Sequence, residues 1–143
     1  MKFIKKITNG IILIMIGIVH TNCAITSVGF GRQFKEFSKL YFFKISPGAD
    51  ELPAIAGKTN FETHAAFWFF YFGILIIPLG LLVHSIEKSG KIIPHSFTIS
   101  YLIVVLIGCY MVPNSGMTFF MLPHAIYMLV SNYLKSRKTS QVS

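Results

Sequence analysis

Residues 65–86 constrain the fold of this chain more than any other stretch. They include no Asp, Glu, Lys or Arg, and aromatic residues crowd the first third. At about 1.5 Å per residue, a helix of this length matches the ~30 Å hydrocarbon core of a bilayer. The aromatic block 67–72 suits a membrane interface, and we expect Glu87 and Lys88 to close the other end in water. The stretch therefore predicts a transmembrane helix.

The composition extends this interpretation to the rest of the chain. Of the 143 residues, 53% are hydrophobic and 13% are charged, and the mean hydropathy is +0.63, which is unusual for a soluble domain. Asp, Glu, Lys and Arg are absent from residues 7–31, 63–86 and 92–134. The last run is about twice the ~20 residues that one span needs, and Pro113-Asn114-Ser115-Gly116 lies within it as a turn.

These runs predict an all-α membrane protein with four transmembrane helices. The predicted spans cover residues 3–28, 64–86, 93–112 and 117–134. Short connections make consecutive helices antiparallel neighbours, so we expect an antiparallel bundle in a single domain over residues 1–135. The polar residues 136–143 are predicted to be a disordered tail.

The positive charge of the chain indicates a membrane topology rather than a nucleic-acid partner. The net charge is +8, but the 13 Lys and Arg residues lie between the apolar runs and form no basic helix face. With both termini in the cytoplasm, eight of them lie inside and five outside. This distribution favours cytoplasmic termini. The lipid bilayer is the expected partner, and no nucleic acid is expected.

The N-terminal segment allows two interpretations. Lys2, Lys5 and Lys6 before a short apolar core are typical of a secretory signal peptide. However, no small-x-small cleavage site follows, and uncharged sequence continues to Gly31. An anchored first helix is the preferred interpretation.

The segment 31–62 between the first two spans contains a second helical pattern. Phe34, Phe37, Tyr41 and Ile45 follow each other at steps of three or four residues, which predicts a short amphipathic helix on the outer interface. Phe42 and Phe43 interrupt the pattern, so a helix folded back over the bundle is the alternative.

Histidines are the candidate ligand-binding residues within the predicted spans. His20 and His124 each lie eight residues from the estimated outer end of their span, or about 12 Å deep. Two imidazoles at one depth could share a proton, bind a metal or ligate haem. Alternatively, each one satisfies a backbone carbonyl or a hydroxyl. His64 and Trp68, at the outer start of the second span, complete the ligand-binding candidates.

Glycines are the candidate helix-packing residues. Gly73 and Gly80 lie seven residues apart and therefore close to one helix face, where a neighbouring backbone can approach. Gly17 in the first span is a third candidate. We identify no catalytic residue and expect no cofactor. The sequence does not decide whether the histidines bind a metal.

Several short motifs recur along the predicted spans and turns: Gly17-Ile18-Val19-His20-Thr21, Ala66-Phe67-Trp68-Phe69 with Gly73 and Gly80, Pro94, Pro113-Asn114-Ser115-Gly116, and Leu122-Pro123. With these motifs the chain resembles DUF6463, an uncharacterised bacterial family of small four-helix membrane proteins. The resemblance implies four spans in a bacterial inner membrane. It implies no reaction, because the family has no assigned activity.

Two hypotheses for the function follow. The first is a non-catalytic membrane protein that acts as a subunit, an accessory or a lipid-interacting module, as a homo-oligomer or with a membrane protein partner. The second is a redox or small-ligand-binding bundle that uses the intramembrane histidines. A transporter or channel is the weaker third class, because we expect no buried pair of acidic and basic residues.

Overall fold

The computed structural model describes residues 7–42 and 61–140, and all regular structure in these ranges is helical. It consists of α1 (Asn9–Ile25), α2 (Gly31–Tyr41), α3 (Phe61–Lys88), α4 (His95–Met111), a π-helical turn (Met117–Met121) and α5 (Leu122–Ser140). The predicted all-α class is confirmed for the described part of the chain.

Among the described residues, one helix is both long and apolar enough to cross a membrane. It is α3, over Glu62–Lys88. The helices α1 and α4 are apolar but have 17 residues each. Residues 3–6 of the first predicted span lie outside the described residues. The count of four spans therefore stays a prediction.

The last helix differs from its predicted form at both ends. At its start, the N–H of Leu122 donates to the carbonyl of Met117, five residues back. Pro123 explains this π turn, because its ring clashes with the carbonyl four residues earlier in a regular α-helix. At its end, α5 continues to Ser140, through much of the predicted disordered tail, and residues 141–143 lie outside the described part. The guanidinium of Arg137 lies 4.8 Å from the ring centroid of Tyr133, which supports this last stretch of helix.

The chain divides into two compact units. The first consists of Met1–Ile16 and Pro78–Ser143, and the second of Gly17–Ile77. In the first unit, α4 packs along the π turn and α5. Val105, Met121, Ala125 and Met128 are buried there. The prediction of one domain over residues 1–135 stays a prediction.

A side-chain amide also joins two segments of the first unit. The Oδ1 of Asn132 on α5 accepts from the N–H of Ile93 at 3.0 Å, and its Nδ2 donates to the carbonyl of the same residue at 2.7 Å. Both residues are buried. Asn132 therefore satisfies both backbone groups of a residue that precedes α4.

Close packing of α1 against α3 in the first unit depends on glycines. A Cβ on Gly80 would lie 2.8 Å from the carbonyl oxygen of Gly10 and 2.8 Å from the backbone nitrogen of Ile14. A Cβ on Gly10 would overlap the backbone of His84. No residue larger than glycine fits at either position without a shift of the helix backbones.

Aromatic contacts hold α2 against α3 in the second unit. The ring centroids of Phe34 and Phe70 lie 4.5 Å apart, and those of Phe37 and Phe67 lie 4.7 Å apart in a stacked arrangement. Phe37 is buried. The helix α2 occurs where the sequence predicts an amphipathic helix, although Ile45 lies outside the described residues. Its phenylalanine face packs on α3, in agreement with the folded-back alternative.

The second unit contains its own glycine contact between α1 and α3. A Cβ on Gly17 would lie 2.8 Å from the carbonyl oxygen of Gly73 and 2.9 Å from Cγ1 of Ile77. A Cβ on Gly73 would overlap the hydroxyl of Thr21. Both glycines are buried, and they allow the two backbones to approach closely.

Candidate functional site

A cavity lies in the first unit, where α1 begins and α3 ends. Its volume is about 270 Å³. Its polar lining consists of Thr8, Asn9, Glu87, Ser131 and Lys135, and its apolar lining of Ile7, Tyr127 and Leu134. On α5, Ser131 lies four residues after Tyr127, and Leu134 and Lys135 lie three and four residues after Ser131, so the four lining residues share one helix face.

Glu87 is the central residue of this cavity. Its Oε1 accepts from Nδ2 of Asn9 at 2.7 Å, and its Oε2 accepts from the N–H of Gly10 at 3.1 Å. The Nζ of Lys135 lies 3.8 Å from Oε1, beyond the length of a hydrogen bond. The carboxylate thus accepts from one of the first N–H groups of α1, which a helix leaves unpaired and where its dipole favours negative charge.

The position of Glu87 corrects the expectation that it closes a span in water. Its side chain is 4% exposed, whereas that of Lys135 is 46% exposed. The reason is that α3 extends through Lys88 and directs Glu87 towards the start of α1.

Asn9 contributes an acceptor without a partner. The residue is 5% exposed, and its Oδ1 has no hydrogen-bond partner among the described residues. The orientation of the amide follows from Glu87, because only the nitrogen can donate to a carboxylate oxygen. A buried acceptor of this kind is costly unless something donates to it.

Thr8 adds a second link between the same two helices. Its Oγ1 accepts from the N–H of Ile11 at 3.2 Å and so caps α1. The same oxygen lies 2.7 Å from Nδ1 of His84 on α3. The start of α1 is thus held by two side chains of α3 that lie three residues apart.

Among the predicted ligand-binding residues, three lie in the second unit. The ring of His20 stacks on Phe69 with centroids 3.8 Å apart, and its Nε2 is buried without a partner among the described residues. His64 makes an edge contact with Phe37 at 5.5 Å. Trp68 is 61% exposed and contacts the ring of Phe67 at 5.4 Å. His64 and Trp68 are linked through the stacked rings of Phe37 and Phe67, and His20 also makes an edge contact with Phe72.

The fourth predicted residue, His124, lies in the first unit. It is buried, and its Nδ1 lies 3.2 Å from the hydroxyl of Tyr101. Its Nε2 has no partner within the described part of the chain. The proposed pairing of His124 with His20 stays a prediction.

In residues 7–42 and 61–140, no group of three or more His, Cys, Asp and Glu side chains is arranged to hold a metal ion. The sequence interpretation missed Asn9, Glu87 and Lys135 as site residues. One feature of the sequence could have drawn attention to Glu87, since it is the only acidic residue after Glu62.

Comparisons with known proteins identify a family but no characterised relative. Residues 5–135 match the model of DUF6463, which is described as a family of unknown function. No curated protein and no solved structure matches the chain.

Proposed function

Because the chain belongs to DUF6463, a family of unknown function, we propose its function from its own residues. It is a four-span integral protein of a bacterial inner membrane that works without catalysis of its own. Its role is that of a lipid-interacting or partner-binding module, and both of its termini are cytoplasmic.

The distribution of apolar and polar side chains carries this proposal. Large apolar residues are exposed on each of the four longest helices, for example Val19 on α1, Leu82 on α3, Val104 on α4 and Val130 on α5. In contrast, Asn9, Thr63, Thr98, His124 and Asn132 are buried. Water would penalise so much exposed apolar surface, whereas acyl chains cover it at no cost.

The helices α1 and α4 are long enough to act as short transmembrane spans. Each has 17 residues, which is the lower limit for a transmembrane helix, and helices of this length thin the bilayer locally. The last span begins with the π turn, so the continuous helical segment from Met117 is longer than α5 alone.

Topology mapping tests the proposal. A reporter fused after Ser143 is expected to read cytoplasmic, and one inserted within residues 46–59 is expected to read external. The protein should also stay in the membrane pellet after extraction at alkaline pH. Release from the pellet, or a cytoplasmic reading for residues 46–59, contradicts four spans with cytoplasmic termini.

Crosslinking and native mass spectrometry in mild detergent test the role as a module. We expect bound lipid, a homo-oligomer or a co-purifying membrane protein. A strictly monomeric protein that carries neither lipid nor partner contradicts this role.

Among the described residues, the Nε2 atoms of His20 and of His124 have no hydrogen-bond partner, which favours a second candidate function. In this alternative, each imidazole is a candidate contact for a redox group or a small ligand. Purified protein would then show a Soret band, bound metal or a bound quinone-like molecule, and His20→Ala or His124→Ala would remove it. A colourless, metal-free protein without ligand excludes this candidate.

A further inference from the structure

We propose that α2 binds the headgroups of anionic phospholipids through Arg32 and Lys35, two exposed residues of this helix. The inference deepens the proposed role as a lipid-interacting module, because it names the class of lipid and the surface that binds it. It rests on that role for the presence of a bilayer beside α3.

The aromatic contacts of α2 determine which of its faces stays open. The rings of Phe34 and Phe37 pack on α3. A helix turns by ~100° per residue, so Arg32 and Lys35 each lie at least ~100° around α2 from both rings. The contacts with α3 therefore leave the side of α2 that carries these two cations exposed.

Arg32 and Lys35 give this open face its positive charge. Glu36 and Lys39 are exposed on the same side and carry opposite charges, so the face has a net charge of +2. Neither the guanidinium of Arg32 nor the ammonium of Lys35 forms an ion pair with a described residue. A guanidinium binds a phosphate through two parallel hydrogen bonds, and an ammonium adds a point charge. The face therefore complements an anionic phosphate in charge and in geometry.

The position of α2 along α3 corresponds to the headgroup region. Residues 67–86 are uncharged and already fill the ~30 Å hydrocarbon core, so the turns of α3 before Phe67 lie among the headgroups. Phe34 contacts Phe70. Phe37, further along α2, contacts Phe67, which is closer to the start of α3, so the two helices run antiparallel at this end. Trp68, on the same turns, is exposed, as is typical of a tryptophan at a membrane interface.

Exposed apolar side chains adjoin the start of α2. Val28 is 89% exposed and Phe30 is 38% exposed. Acyl chains can cover both residues while the phosphate of the same lipid lies against Arg32, two residues after Phe30. The segment thus offers a surface for each part of one phospholipid.

Trp68 is the single tryptophan of the chain and reports on this surface. It contacts Phe67, on which Phe37 of α2 stacks. In vesicles of phosphatidylcholine with brominated acyl chains, the lipids beside Trp68 quench its fluorescence, and unbrominated lipid restores the fluorescence by displacing them. Phosphatidylglycerol should displace them about fivefold or more better than phosphatidylcholine with the same acyl chains, since one basic residue near an anionic headgroup contributes about that factor. Equal restoration by the two lipids overturns the proposal.

Three variants connect the preference to α2. The double variant Arg32→Gln with Lys35→Gln should reduce it to less than twofold, and Glu36→Gln, which removes the acid of the same face, should increase it. Lys88→Gln with Lys91→Gln removes two exposed charges at and after the other end of α3 and should leave the preference intact. All five side chains are exposed, so the variants should keep the circular dichroism spectrum of the wild type. An unchanged preference in the Arg32 and Lys35 double variant overturns the proposal.

The result is separable from the test of the proposed function. A membrane protein with the predicted topology whose fluorescence is restored equally by both lipids keeps the proposed function and loses this site. A protein that alkaline extraction releases from membranes, but that binds phosphatidylglycerol vesicles through Arg32 and Lys35, keeps the site and loses the proposed function.

Discussion

Replacing Gly80 by alanine tests the close approach of α1 to α3 within the first unit. The new Cβ would lie 2.8 Å from three atoms, which are the carbonyl oxygen of Gly10 and the backbone nitrogen and Cγ1 of Ile14. Two of these are backbone atoms, so a rotamer change cannot relieve the overlap. An ordinary contact begins at 3.4 Å, which means that the helices must separate locally by about 0.6 Å.

The cost follows from two opposing effects. Overpacking of this kind costs ~1–3 kcal/mol, while alanine in place of glycine favours the helix by ~0.8–1 kcal/mol. Because backbone atoms must move, we expect the upper part of the first range and a net loss of about 1–2 kcal/mol. For a chain of this length, that corresponds to a drop in Tm of ~2–8 °C.

Thermal unfolding of the protein in mild detergent, followed by circular dichroism, measures this loss. Gly116→Ala is the matched control, since its Cβ would lie 3.9 Å from the nearest atom, Cδ2 of Phe120, and its backbone is in the right-handed helical region. The control should unfold at or slightly above the wild-type temperature. A Gly80→Ala variant that is as stable as this control would refute the tight packing of α1 on α3.

Two further substitutions test contacts at either end of α3. Phe37→Ala removes the ring stacked on Phe67 and should cost up to ~3–5 kcal/mol of stability. The helix α2 should then detach from α3, and its amide hydrogens should exchange faster. Glu36→Ala, which changes the exposed neighbouring residue, should leave this exchange unchanged. Thr8→Ala removes the cap of α1 and should lower the free energy of unfolding by ~0.5–2 kcal/mol, as measured by denaturant titration. Ser89→Ala removes a hydroxyl that donates to the nearby carbonyl of Ile86 and should change this free energy by less than ~0.5 kcal/mol.

The sequence predicted those features that depend on local pattern. Uncharged runs located the helices, and the spacing of Phe34 and Phe37 located α2, because the side-chain period of a helix is a property of neighbouring residues. The sequence also predicts the glycines of α3 as packing residues, because small residues allow a close approach of two backbones, and the structure places them at such contacts.

The cavity could not be predicted, because it is formed by contacts between distant residues that no local sequence pattern encodes. Asn9 and Glu87 are 78 residues apart and meet only because α1 and α3 pack side by side. Glu87 was assigned to water because the uncharged run ends before it, yet the helix continues for two residues and buries the carboxylate. Tyr101 likewise became the partner of His124 only through the packing of α4 on α5.

Asn132 offers a test of how the first unit fixes the segment between α3 and α4. In Asn132→Leu, a side chain of similar size replaces the amide, and both the N–H and the carbonyl of Ile93 lose their partner in a buried position. Each unsatisfied group costs ~1–3 kcal/mol, so the free energy of unfolding should fall by ~2–6 kcal/mol. An apolar environment cannot replace these hydrogen bonds, because lipid offers no donor or acceptor.

Denaturant titration in detergent measures the loss, and hydrogen exchange at Ile93 locates it. Ser131→Ala is the matched control on the same helix, because the hydroxyl of Ser131 donates to the carbonyl of Met128 one turn earlier, within α5. This control should change stability by less than ~0.5 kcal/mol. If Asn132→Leu is as stable as Ser131→Ala, water reaches Ile93 and the amide does not hold this segment.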